Sequence, residues 1–80
     1  MFVIECQYIH RYDEPPRAPF IYSHIYVWGG EVKIHEAIKG HFEPKKYSSV
    51  KRAEQGIKSL DNRASTAYDY RVIPEKDAEW

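Results

Sequence analysis

Residues 20–35 read FIYSHIYVWGGEVKIH, two alternating runs around a pair of glycines. Both central positions of a two-residue hairpin turn need a positive φ, which glycine adopts at no steric cost, so Gly29 and Gly30 double the chain back on itself. A strand alternates its side chains between faces. Phe20, Tyr22, His24, Tyr26 and Trp28 therefore share one side, and Ile21, Ser23, Ile25 and Val27 the other. The return strand carries Val32 and Ile34 inward.

The rest of the chain is built around this hairpin. FVIECQYIHRY places Phe2, Ile4, Cys6 and Tyr8 opposite Glu5, Gln7 and Arg11, the pattern of a half-buried strand. Three prolines in DEPPRAP forbid helix and central strand alike, which makes residues 13–19 a semi-rigid connector. HEAIKGHF fits either a continued strand or a short helical turn. In YSSVKRAEQGIKSLDNR, Ser48 or Ser49 can cap a helix whose stripe is Val50, Ala53, Ile57 and Leu60, with Asp61 and Asn62 marking its exit. Gly56 lies beside the stripe. Glycine weakens a helix interior by about 1 kcal/mol relative to alanine, so its presence predicts a close approach of helix to sheet. AYDYRVIP alternates again, Pro74 stops that strand, and EKDAEW is expected to fray.

The order is strand, strand, strand, helix, strand: an α+β fold, with one helix packed on one face of a three- to four-stranded antiparallel sheet. Eighty residues hold one core, so residues 1–80 form a single domain. A lone helix covers one side of such a sheet and leaves the second face to water or a partner. Packing the aliphatic stripe on Ile21, Ile25 and Val27 leaves the aromatic row on the open face, and this register is followed here. The opposite register would place the aromatics beneath the helix.

Charge is balanced at twelve basic against twelve acidic residues, which favours neither nucleic acid nor an acidic partner in bulk. Locally, Lys39, Lys45, Lys46, Lys51, Arg52 and Lys58 outnumber Glu43 and Glu54. One cysteine, Cys6, excludes an internal disulfide and fits a reducing, cytoplasmic setting, and no run is long enough to span a bilayer. His10, His24, His35 and His41 include no pair at metal-ligand spacing, so neither metal nor cofactor is expected. No phosphate loop or nucleophile elbow is present, and the expectation is a protein without catalysis.

The stretch HFEPKKYSSVKRAEQGIKSL followed by YDYRVIPE resembles the strand, helix, strand half of short ββαβ proteins of bacteriophages and mobile elements, some anti-CRISPR inhibitors among them. The likeness covers about half the chain and assigns no role to any numbered residue. It implies a stoichiometric inhibitor that occludes a host or defence complex. Tyrosine and tryptophan amid mixed charge suit a protein contact surface. The expected contact set is Tyr22, His24, Tyr26 and Trp28, with Arg11 and Arg71 as polar contacts. The alternative is a nucleic-acid binder using Lys45, Lys46, Lys51, Arg52 and Lys58, and a homodimer through the open face or a sheet edge is a third possibility.

Overall fold

The computed structural model describes residues 1–9 and 12–80. Strands β1 (Phe2–Tyr8), β2 (Phe20–Trp28) and β3 (Glu31–Glu36) precede helix α1 (Val50–Arg63), and β4 (Tyr68–Pro74) follows it. The four strands make one antiparallel sheet in the order β3-β2-β1-β4, the α+β arrangement expected. Gly29 and Gly30 turn β2 into β3 at φ +60° and +79°. Ser49 caps α1, accepting from the Arg52 N–H at 3.2 Å. The helix continues past Asp61 and Asn62 to Arg63, where the Ala64 N–H closes on the Leu60 carbonyl at 2.8 Å. Val50, placed on the apolar stripe by its spacing, sits in the first turn and is exposed; Ala53, Ile57 and Leu60 carry the packing.

The hairpin departs from both expected registers, because β2 changes face midway. Tyr22 pairs with Glu36 and His24 with His35, so Ser23 is an extra residue with no partner on β3. Such a bulge flips every side chain beyond it. Phe20 and Tyr22 lie on the helix side with Ile25 and Ile34, while His24, Tyr26 and Trp28 pass to the other. The bulge also bends β2 away from β1, with which it pairs only at Glu5↔Ile21 and Cys6↔Phe20. Residues 43–47 fill the fork between them. Tyr47 and Phe2 exchange two backbone hydrogen bonds of 2.8 Å, and the Lys45 N–H donates to the Tyr22 carbonyl at 3.1 Å.

Residues 34–42 resolve as the end of β3 followed by a tight reversal. Ile38 and Phe42 bond in both directions, at 2.9 and 2.8 Å, around Gly40 at φ +84°. No helix forms there: Gly40 at positive φ lies outside the helical region, and the Ile38 N–H bonds forward to the Phe42 carbonyl instead of back along the chain.

Two cores result. Under the helix, Ile4, Cys6, Ile34, Ala53 and Leu60 pack with Tyr47, Tyr70 and Val72. On the opposite face, Val3, Ile21 and Ala37 pack with Ile73 and Ala78. The tail expected to fray is what closes this second core. Residues Glu75–Asp77 form a 3-10 turn, the Glu75 N–H donates to the Met1 carbonyl at 2.9 Å, and Lys46 lies 3.5 Å from the Glu75 carboxylate.

Burial raises the pKa of Cys6 to about 12, helped by the adjacent Glu5 carboxylate, and burial likewise raises Tyr47 and Tyr70 to about 12. The Tyr70 shift comes first from burial and then from the nearby Cys6 and Asp61. All three groups fold in their neutral forms. In the unfolded chain they ionise near their ordinary values, about 8.5 for the thiol and about 10 for the phenols. Their contribution to stability is therefore complete below those values and is lost as pH rises toward 12. Two results are expected: Cys6 stays inert to thiol reagents at about pH 8 until the protein is unfolded, and urea stability declines steeply between about pH 9 and pH 12. Labelling of Cys6 in the native state at the rate of a free thiol would contradict this placement.

Candidate functional site

The bulge at Ser23 and the Ile38–Phe42 reversal together build an aromatic cluster on the face away from the helix. His24 and His35 sit opposite each other across the hairpin and stack with centroids 4.7 Å apart and planes 9° from parallel. Phe42 packs against both, at 5.0 Å from His24 and 4.7 Å from His35. Tyr26 meets His35 edge-on at 5.8 Å. Trp28 extends the same face to the hairpin tip. The surface is open: Tyr26 is 40% exposed, Phe42 42% and Trp28 73%.

Hydrogen bonds fix the two imidazoles. Ser23 Oγ donates its single proton to the Glu43 carbonyl at 2.7 Å and so accepts from His24 Nδ1 at 3.1 Å. His35 Nδ1 lies 2.7 Å from the Glu36 carbonyl, which can only accept. These bonds place a proton on Nδ1 of each ring, so the tautomer with a free Nε2 lone pair is the one that can accept from a donor brought by a partner. Among the described residues no three His, Cys, Asp or Glu side chains gather as a metal site, so the pair offers two nitrogen ligands and no third.

Beside the cluster an open groove of about 410 Å³ is lined by Tyr26 and His35 together with Tyr8, Arg17, Pro19 and Tyr68. The proline connector is held there at two points. Gln7 Nε2 donates to the Arg17 carbonyl at 2.7 Å, and the Arg17 guanidinium lies 4.1 Å from the centre of the Tyr8 ring.

Of the expected contact set, His24, Tyr26 and Trp28 come together on the open face. Tyr22 does not: before the bulge its ring points toward the helix, where burial raises its pKa. Arg71 is exposed on β4 and pairs with Glu5 at 2.8 Å, apart from the aromatic cluster. Arg11 lies outside the described residues. His35 and Phe42 belong to the cluster although the sequence did not mark them as contacts. The turn glycine at position 40, between Ile38 and Phe42, was the available signal. Of the basic residues, Lys51, Arg52 and Lys58 are exposed on α1 and Lys45 is exposed in the preceding segment, whereas Lys46 is paired with Glu75.

No helix among the described residues is long and apolar enough to cross a membrane. Comparison with family models, with curated proteins and with solved structures finds no match to this chain.

Proposed function

We propose that the chain is a non-catalytic protein-binding module whose anchors are Tyr26 and Trp28, with His24 as an adaptable polar contact and His35 and Phe42 completing the patch. One observation carries the reading: several aromatic side chains are gathered on a two-stranded scaffold and left exposed. Large exposed aromatic patches on small domains mark contact surfaces, and tyrosine and tryptophan supply much contact area at little entropic loss. The neighbouring charges are of both signs, Glu31 paired with Lys33 at 3.3 Å among them, which suits a protein rim better than a phosphate track. Identification of the partner as a host or defence complex in the cytoplasm, blocked in the manner of an anti-CRISPR inhibitor, rests on the segment resemblance alone.

The test is capture from bacterial lysate, with the bound protein identified by mass and its affinity then measured on purified material. Tyr26→Ala and Trp28→Ala are each expected to weaken that affinity by about tenfold or more, while Lys51→Glu leaves it unchanged. Binding should also survive an increase of salt from about 0.1 to about 0.5 M. Steep loss with salt, together with loss in Lys51→Glu only, would transfer the function to the basic helix and nucleic acid.

A further inference from the structure

The two end strands of the sheet are treated differently. On β3 the outer edge is occupied at Val32: the Ser65 N–H donates to its carbonyl at 2.9 Å and its own N–H donates to Ser65 Oγ at 3.1 Å. On β4 all seven residues pair with β1 across one edge, from Tyr68 opposite Tyr8 to Pro74 opposite Phe2. Among the described residues the other edge of Tyr68–Ile73 makes no backbone hydrogen bond. Such a row of unpaired donors and acceptors is a template for another strand.

We propose that β4 pairs antiparallel with β4 of a second copy, about a two-fold axis at Tyr70. The side chains of β4 select both the occupant and the register. A two-fold axis perpendicular to the sheet, which keeps both helices on one side, sets one residue against its own copy. Centring on Arg71 opposes two guanidinium groups, and centring on Asp69 opposes two carboxylates. Centring on Tyr70 places Asp69 of each copy against Arg71 of the other, twice, and Tyr68 against Val72, twice, so that opposite charges and apolar groups both meet across the seam. Asp69 and Arg71 are exposed on the face away from the helix. The Arg71 guanidinium already holds Glu5, and its remaining N–H donors can reach a second carboxylate. The seam leaves the aromatic patch of the hairpin free, so self-association and partner capture are separable.

Sedimentation equilibrium of the intact chain measures this directly. The expected mass at micromolar concentration is twice the 9.5 kDa of one copy. Asp69→Lys and Arg71→Glu should each weaken association on the order of tenfold or more by setting like charges across the seam, and the Asp69→Lys, Arg71→Glu double variant, which again opposes unlike charges, should recover it. Asp69 is exposed, and circular dichroism of each variant checks that the fold persists. A single-copy mass for the wild type up to millimolar concentration would overturn the proposal. So would single variants that associate as the wild type does, or a folded double variant that fails to recover.

Discussion

Replacing Gly56 with alanine is expected to destabilise the protein by about 1–2 kcal/mol, against the direction that helix propensity alone dictates. In an unobstructed helix interior the change would stabilise by about 1 kcal/mol. Here a Cβ at position 56 would stand 2.6 Å from Tyr47 Oη, 2.9 Å from Cζ and 3.0 Å from Cε1, closer to the first two than a real Cβ comes to a non-bonded atom. The ring has little room to yield. Its backbone is clipped to Phe2 by two hydrogen bonds, and its side chain packs against the core beneath the helix. Overpacking of a fixed site costs about 1–3 kcal/mol, which exceeds the propensity gain. Thermal melts should show a fall of roughly 4–8 °C for each kcal/mol lost. The cause is separable from a general intolerance of α1, because in a Tyr47→Leu background the same Gly56→Ala change should be neutral or stabilising. A rise in melting temperature for Gly56→Ala in the wild-type background would show that Tyr47 moves aside freely.

This contact also shows where sequence reading reaches its limit. The glycine's position beside the apolar stripe was enough to predict a close approach, since a helix residue that weakens its own helix needs a compensation. What approaches could not be read, because Tyr47 enters the core through the fork between β1 and β2, and that fork exists only once Ser23 has bulged. Local signals were strong where the chain itself imposes the geometry: the paired glycines fixed the hairpin, and the spacing of Ala53, Ile57 and Leu60 fixed the helix. They failed at Ser23, whose extra residue is held by a carbonyl twenty positions away. A period-two pattern is blind to such an insertion, so Tyr22 was grouped with Tyr26 and Trp28 when Phe20 and Tyr22, two of the five in the row, belong beneath the helix. The candidate site was legible in its hairpin residues and hidden in Phe42, which reaches the cluster through the Ile38–Phe42 reversal.

Ending the chain at Pro74 is expected to destabilise it by about 2 kcal/mol, lowering the melting temperature by roughly 10 °C. The polar sequence of the tail gives no hint of this, yet its Ala78 packs against the group formed by Val3, Ile21 and Ala37, of which Val3 is fully buried and Ile21 nearly so. Removing the tail returns part of those side chains to water, at about 25 cal/mol per Å² of apolar surface, and takes away the Glu75 bond to Met1 and the pairing with Lys46. Ala78→Asp should reproduce much of the loss by placing a carboxylate against the apolar group, whereas Lys76→Ala, an exposed position on the same turn, should change little. If the shortened chain melts with the full-length one, the second core is held by the sheet alone. The comparison bears on the binding surface too. The sheet has two faces and only one helix, and the tail covers part of the second face, with its own Trp80 41% exposed, while Tyr26, Trp28 and Phe42 stay open on the hairpin side of the tail.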